Sequence, residues 1–301
     1  MFSHTVRASV ALQLARVAAP AVALGALVLV VSACSNQDRP IAGAVAPEAV
    51  SFAASGLDDG TYFGTTVPLG PGIARTYVTI QGGTPVEIGV ELNKGALEGL
   101  PTTGGHDGHN NEHHRRGHSW ELPLPEAAAT TAYESVNIGW MPNGHEAPYN
   151  RPHLDFHFYV IPTAERLAID PSDPQWAQKA GAMPAPAFWP ARYFPLSMLI
   201  NKPAAEVSVP GMGMHWLDIA SPELYGAEFT HTLFYGSWNG AIIFDEPMIT
   251  KKLLESRETV DVTLPPAADY ATTGYRAGGY RVYFDAESQR YRVALTQLSQ
   301  R

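Results

Sequence analysis

The fold is decided by the segment His153-Leu-Asp-Phe-His-Phe-Tyr-Val-Ile161, in which two kinds of side chain alternate. Successive residues of a β-strand point to opposite faces of the sheet, so the pattern predicts one strand with two unlike faces. One face carries His153, Asp155, His157 and Tyr159. The other face carries Leu154, Phe156, Phe158 and Val160. The segment therefore predicts a sheet with a hydrophobic core beneath it and polar chemistry above it.

Further strands are predicted on both sides of this segment. Residues 75–80 and 86–92 flank a Gly-rich turn and predict a β-hairpin. Residues 228–235 and 241–246 predict a second hairpin, because the Asn-Gly dipeptide between them favours a tight turn. The two hairpins extend the antiparallel pattern over most of the chain.

The helices predicted from the sequence are few and short. Residues 163–181 contain a good helix start at Asp173-Pro174, and residues 251–257 follow a capping residue, Thr250. About nine strands are expected, and no strand–helix–strand unit of about 30 residues recurs, which argues against a parallel sheet. The predicted fold class is mainly β, an antiparallel β sandwich or barrel with a few short helices.

Histidines and carboxylates in the predicted strands form a candidate metal site. The candidate ligands are His153, Asp155, His157, His215 and His231, with His145, Glu146 and Glu246 as secondary candidates. Imidazole combined with carboxylate suits zinc or another divalent metal. If no metal binds, the same residues predict a buried network of hydrogen bonds between histidines and carboxylates.

The repeat of a β-strand limits which of these residues can bind the same ion. Residues two apart on a strand are ~6.6 Å apart and can converge, whereas residues four apart are ~13 Å apart and cannot. His153 and His157 are therefore not expected to bind one ion directly unless a bulge bends the strand. The workable pairs are His153 with Asp155, or Asp155 with His157. Alternatively, Asp155 orients a neighbouring histidine without binding the ion.

A second collection of histidines lies in a polar insertion, residues 101–118. Its members are His106, His109, His113, His114 and His118. The insertion has almost no apolar residue, so burial cannot compensate for the entropy lost on ordering, and we expect a loop. His-rich tracts gather divalent metals, but a solvated loop can also hold histidines without that role.

The first residues have the composition of a lipoprotein signal peptide. Arg7 and Arg16 precede an apolar run that ends in Ser-Ala-Cys34. The run is about 15 residues long, shorter than the roughly 20 that a transmembrane helix needs. We expect a signal peptide over residues 1–33, a lipidated tether over 34–59, and a single β-rich domain over 60–301. Lipid on Cys34 would hold the protein at the extracytoplasmic side of a bacterial membrane, in the cell envelope.

Composition excludes several classes of function. Cys34 is the single cysteine, so no intramolecular disulfide can form. The formal net charge of −9 repels nucleic acid and favours a metal ion or a small ligand as the partner. The sequence contains no Gly-x-Ser-x-Gly, no phosphate-binding loop and no His-Glu-x-x-His, so it identifies no catalytic residue.

The chain also carries five longer motifs. They are Gly144-His-Glu-Ala-Pro148, Pro152-His-Leu-Asp-Phe-His-Phe-Tyr159, Met214-His-Trp216, Phe229-Thr-His-Thr-Leu-Phe-Tyr-Gly236 and Glu246-Pro-Met-Ile-Thr250. With these motifs, residues 60–258 resemble an uncharacterised bacterial extracytoplasmic family typified by the sigma-E/anti-sigma-E-controlled protein of Thermus. The resemblance implies an extracytoplasmic β-rich fold and self-association as a homo-oligomer. It implies no particular reaction.

Three hypotheses follow for the function. The first is a membrane-tethered binding or envelope-stress protein with a metal or polar site on the strand face of His153, Asp155 and His157. The second is a metal-dependent hydrolase or isomerase that uses the same histidines, with Glu246 or Glu146 as the base. The third is a structural homo-oligomer in which the histidines only satisfy buried polar groups.

Overall fold

The computed structural model of the chain describes residues 56–103 and 117–301. The predicted signal peptide, Cys34, most of the tether and four histidines of the insertion (His106, His109, His113 and His114) lie outside the described residues. In the described part of the chain, no helix has the length and apolar character required to cross a membrane.

Antiparallel strands are the main secondary structure of the described chain. In order they are β1 (Gly60–Phe63), β2 (Val67–Leu69), β3 (Gly72–Gln81), β4 (Thr84–Asn93), β5 (His118–Leu122), β6 (Ser135–Met141), β7 (His153–Tyr159), β8 (Tyr193–Pro195), β9 (Met214–Asp218), β10 (His231–Trp238), β11 (Ala241–Thr250), β12 (Val260–Thr263), β13 (Tyr275–Arg276), β14 (Gly279–Asp285), β15 (Arg290–Thr296) and β16 (Ser299–Gln300).

The helices between these strands are short, as predicted. The α-helices are Lys94–Glu98, Thr163–Leu167, Trp176–Gly181, Leu196–Ile200, Ala204–Val207 and Lys251–Ser256, and the 3-10 helices are Glu126–Thr130, Pro186–Phe188 and Pro222–Tyr225. The last α-helix begins at its predicted cap, where the Thr250 hydroxyl accepts a hydrogen bond from the backbone N–H of Leu253.

The first large sheet has the strand order β1-β3-β4-β15-β14-β12, with β2 pairing with β3. Its centre is the predicted hairpin of β3 and β4, which is confirmed. The hairpin turns at Gly82 and Gly83, which both have positive φ, the backbone region that glycine enters without strain.

The second large sheet has the order β5-β6-β7-β11-β10-β9-β8. The strand predicted over residues 153–161 is β7, which ends at Tyr159 and is hydrogen-bonded on both sides, to β6 and to β11. The second predicted hairpin is β10 and β11, but β11 runs to Thr250, beyond the predicted end at residue 246. Both large sheets finish in edge strands and neither closes on itself, so the sandwich is the better of the two predicted architectures.

The main hydrophobic core lies between the two large sheets. Sheet one contributes side chains such as Val78, Ile88 and Val293, and sheet two contributes Leu154 and Phe156. Apolar residues of β7 thus face the core, as the alternating pattern predicts. Burial of so many aliphatic and aromatic side chains is the dominant favourable contribution to the stability of such a fold.

One polar group of side chains crosses this core. Asp245 of β11 accepts a hydrogen bond from the Tyr133 hydroxyl and lies 3.5 Å from the guanidinium of Arg276, and all three residues are buried. The Tyr133 hydroxyl oxygen in turn accepts a hydrogen bond of 3.2 Å from the backbone N–H of Ala277. These contacts tie β11 to the short third sheet, β13 with β16.

The opposite face of sheet two is covered by short helices and loops. Phe234, Leu217 and Met248 from this face pack with Leu199 and Leu224 of the covering helices. The face that carries His153, Asp155 and His157 is therefore buried, although it does not face the main core. This position matters because polar side chains enclosed there need partners.

Candidate metal centre

Three polar residues of β7 reach the covered face of sheet two. His153, Asp155 and His157 are at most 2% exposed. The register pairs Asp245 with Phe158 and Met248 with Asp155, which places Glu246 of β11 beside His157. The alternation of β7 thus places three of the candidate side chains on one face, and pairing with β11 places the Glu246 carboxylate beside them.

The first group consists of His145, His153 and Asp155, whose ligating atoms all lie within 4.8 Å of one another. Asp155 Oδ1 lies 3.1 Å from His153 Nε2, and Asp155 Oδ2 lies 3.6 Å from His145 Nε2. The other ring nitrogen of His153, Nδ1, lies 2.6 Å from the carbonyl oxygen of Arg151. If Nδ1 carries the proton and donates to that carbonyl, Nε2 is left with its lone pair directed at the group.

His145 reaches the first group from the turn that follows β6. Gly144 has φ +65°, and a Cβ there would lie 2.5 Å from the backbone nitrogen of Arg151 and from the carbonyl oxygen of Tyr149. Only glycine fits this conformation and this space without a shift of the backbone. The backbone N–H of His145 donates a 3.0 Å hydrogen bond to the Tyr149 carbonyl, which closes the turn.

The second group consists of His157, His215 and Glu246, again with all ligating atoms within 4.8 Å. Glu246 Oε1 lies 3.2 Å from His157 Nε2, and Glu246 Oε2 lies 3.5 Å from His215 Nε2. The residues come from β7, β9 and β11, so sheet pairing holds all of them. Each group therefore consists of two imidazoles and one carboxylate. The first group combines β7 with the turn after β6, and the second combines three strands.

Several buried polar atoms of the two groups make no hydrogen bond despite these short distances. They are His153 Nε2, Asp155 Oδ1, both ring nitrogens of His157, and Glu246 Oε2. Most buried polar side-chain atoms in proteins have a partner, so each such atom requires an explanation. A cation held between the imidazoles and the carboxylate would satisfy all of these atoms except His157 Nδ1, which lies on the far side of its ring.

Burial determines the charge of the second group. It lowers the pKa of His157 to about 3 and that of His215 to about 4. Burial, together with the charge of Asp155, raises the pKa of Glu246 well above its usual range. Both imidazoles are therefore neutral at pH 7 and present a lone pair, which is the form that binds metal ions.

The first group has the opposite electrostatic character. Burial by itself would raise the pKa of Asp155, but the neighbouring His153 and His145 together lower it. Burial would lower the pKa of His153, but the Asp155 carboxylate and the Arg151 carbonyl together raise it. The ionised carboxylate of Asp155 is a hard oxygen ligand that attracts a cation.

Aromatic rings surround both groups. The ring of Phe229 packs against His153 at 5.4 Å, and the ring of Phe244 packs against His157 at 5.1 Å and His215 at 5.5 Å. Phe234 lies 6.2 Å from His215 on the remaining side. An apolar surround excludes water and strengthens the electrostatic interactions inside it.

The structure brings together six of the eight sequence candidates and separates the other two. His231 lies on the core face of β10, where its Nδ1 is 2.7 Å from the Tyr280 hydroxyl of sheet one. Glu146 is exposed and belongs to neither group. His145 and Glu246, the secondary candidates, each complete a group. His118, expected in the loop, is the first residue of β5.

The spacing argument is consistent with this arrangement. His153 and His157 belong to different groups, as their four-residue separation on a straight strand requires. His153 and Asp155 form one of the two pairs that the sequence allows. The sequence predicts a single site, however, and gives no sign of a second group centred on Glu246.

Comparison with known families gives one match. A family model described as "TTHB210-like: Hypothetical protein TTHB210" matches residues 81–140. The match supports a relation to an uncharacterised family named after a Thermus protein. The matched residues include β5 and nearly all of β6, which pairs with β7, and they contain none of the six residues of the two groups. Comparisons with curated proteins and with solved structures give no match.

Proposed function

We propose that this chain is a membrane-tethered extracytoplasmic protein that binds divalent metal ions, with zinc as the first candidate. The ligands are the first group (His145, His153 and Asp155) and the second group (His157, His215 and Glu246). The proposal includes a binding or envelope-stress role in the cell envelope, where the lipid on Cys34 would hold the protein.

One observation carries the metal-binding proposal. Both groups have the same composition, two imidazoles and one carboxylate, with imidazole–carboxylate distances of 3.1–3.6 Å. In each group, at least one buried ring nitrogen and one buried carboxylate oxygen have no hydrogen-bond partner. A purely structural network of histidines and carboxylates is expected to satisfy such atoms with each other. A divalent ion satisfies them together and accepts neutral imidazole and carboxylate as ligands.

The ligand count favours a metal-dependent hydrolase or isomerase as a second candidate function. Structural zinc sites are closed by four protein ligands, whereas catalytic zinc sites keep three and leave one position for water or substrate. Each group offers three protein ligands within reach of one another. This composition supports a reactive site, although no residue of the described chain is identified as its general base.

Metal analysis of the full-length chain tests the main proposal. The chain is purified without a polyhistidine tag, in a background with H106A, H109A, H113A and H114A, so that the insertion contributes no metal. We expect zinc to copurify and the His157→Ala variant to lose the ion of the second group, because His157 is one of its three ligands. The measurement is elemental analysis by mass spectrometry.

A matched control uses a histidine of the same sheet that lies outside both groups. His118→Ala changes a residue of β5 that contacts the Thr103 carbonyl instead of a carboxylate, and it should retain the full metal content. Zinc-free protein, or equal zinc in the His157→Ala and His118→Ala variants, would contradict the proposal.

Membrane attachment has its own test. In bacterial cells that carry the full-length chain, we expect radiolabelled fatty acid to be incorporated and the protein to sediment with membranes. Cys34→Ser should abolish the label, because Cys34 is the single cysteine of the chain. Label that persists in the Cys34→Ser variant would show that the anchor is not at this residue. Self-association, which the resemblance implies, stays a prediction that sedimentation analysis would measure.

A further inference from the structure

We infer that the first and second groups form one paired metal centre, in which two divalent ions lie side by side and share an oxygen ligand, water or hydroxide. The inference rests on the proposed metal binding and adds how the ions are arranged. It assigns both ions to a single enclosed chamber on the covered face of sheet two.

The spacing of β7 places the two groups next to each other. Asp155 of the first group and His157 of the second are two residues apart on the same face, a separation of ~6.6 Å between Cα atoms. Their side chains point in the same direction from neighbouring positions. On β11, Glu246 is two residues from Met248, which pairs with Asp155. Glu246 therefore lies beside His157 of β7.

A continuous chain of aromatic rings links the surroundings of the two groups. Phe229 packs on His153 of the first group, and Tyr149 packs on Phe229 at 5.2 Å and on Phe234 at 5.1 Å. Phe234 in turn packs near His215 of the second group. The same aromatic wall therefore borders both groups.

Each group lacks a fourth ligand for a zinc ion, and one oxygen shared by two ions would supply it to both. Zinc in proteins prefers four ligands, and each group supplies three. An oxygen between the two ions completes both at once, and a hydroxide also reduces the excess positive charge of two divalent ions facing two carboxylates. Paired ions of this kind stabilise the attacking and leaving groups in hydrolytic reactions, so the arrangement fits a hydrolytic function.

A cavity next to the first group gives a ligand a way to approach. It has a volume of about 370 Å³, and its lining includes Phe229, Arg151 and Glu228. Phe229 forms part of the cavity wall on one side and contacts the His153 ring on the other. A movement of this single ring would connect the cavity with the first group.

Cobalt reconstitution tests the paired arrangement. The full-length chain, in the background that lacks the four insertion histidines, is stripped of metal and titrated with Co²⁺. We expect two cobalt ions per chain and, because adjacent ions couple magnetically, an EPR intensity per ion about twofold or more below that of an isolated site. His153→Ala and His157→Ala should each bind one cobalt with full intensity per ion.

Two further variants keep the test decisive. His215→Asn changes the most exposed ligand of the second group, with a side chain 12% exposed, and should also leave one uncoupled ion. It replaces an alanine variant that fails to fold. His118→Ala should behave as the parent chain. Two cobalt ions with full intensity, or a single cobalt in the parent chain, would overturn the paired centre. Absence of bound cobalt would instead overturn the metal-binding proposal itself.

Discussion

Removal of zinc from the full-length chain should lower its melting temperature by about 8–16 °C. A ligand at a thousand times its dissociation constant stabilises the folded state by about 4 kcal/mol. In a domain of this size, 1 kcal/mol shifts the melting temperature by about 2–4 °C. Differential scanning calorimetry of the metal-loaded and the chelator-treated protein measures the change.

The melting temperature is expected to fall because removal of the ion leaves buried polar atoms of the two groups without a partner. Without an ion, His157 Nε2 and Glu246 Oε2 have no hydrogen-bond partner, and each unsatisfied buried group costs about 1–3 kcal/mol. With an ion, the same atoms become ligands. The protein that carries both His153→Ala and His157→Ala should gain almost nothing from added zinc. Equal melting temperatures for the loaded and stripped parent chain would favour the structural network over the metal centre.

Replacement of Arg276 by methionine is expected to destabilise the fold by about 3–5 kcal/mol. Arg276 and Asp245 are both nearly inaccessible, with side chains 4% and 2% exposed, and lie 3.5 Å apart. Methionine fills similar space but leaves the Asp245 carboxylate buried, with the Tyr133 hydroxyl as its remaining side-chain hydrogen bond. Urea denaturation, at constant slope of the unfolding free energy, measures the loss.

Two comparisons isolate the buried charge as the cause. Arg281→Met removes an ion pair with Asp261 whose side chains are 41% and 63% exposed, and should cost less than about 1 kcal/mol. The double variant Arg276→Met, Asp245→Leu removes both charges and should recover part of the stability lost in the single variant. Equal losses for Arg276→Met and Arg281→Met would show that the crossing pair contributes no more than a surface pair.

The sequence was sufficient to predict the fold class and the composition of β7. Strict alternation from His153 to Tyr159 has one physical solution, a strand with an apolar face on the core. The four-residue spacing of His153 and His157 likewise excluded a common ion on a straight strand. These predictions depend only on the local geometry of a strand, which follows from the order of neighbouring residues.

The sequence could not predict on which face His231 lies. Both faces of the strand near His231 carry an aromatic ring: Tyr235 lies on one face with Leu233, and Phe234 lies on the other with Thr232. The sequence pattern therefore does not distinguish a polar face from an apolar one. The face of His231 is set by its pairing with Ile249 on β11, which is a contact distant in sequence. The register, and not the local pattern, places this histidine in the core beside Tyr280.

The role of His145 was hidden for a different reason. It lies in a turn, where the direction of a side chain depends on one backbone conformation, the positive φ of Gly144.

The partition into two groups also required the approach of β9 and β11, which bring His215 and Glu246 to His157. Short strands such as β8 were missed because three residues in a Pro-rich stretch give no alternation to recognise.

The position of β7 inside its sheet has a consequence for how quickly an ion can leave. His153, Asp155 and His157 are attached to a strand with hydrogen-bonded neighbours on both sides, so the backbone that carries them moves only when two ladders open together. Such openings have free energies close to that of global unfolding. His145, carried by a turn and 27% exposed, can swing away without opening either ladder. If ions bind as proposed, we expect the first ion to exchange through movement of His145 and the second ion to remain bound for far longer.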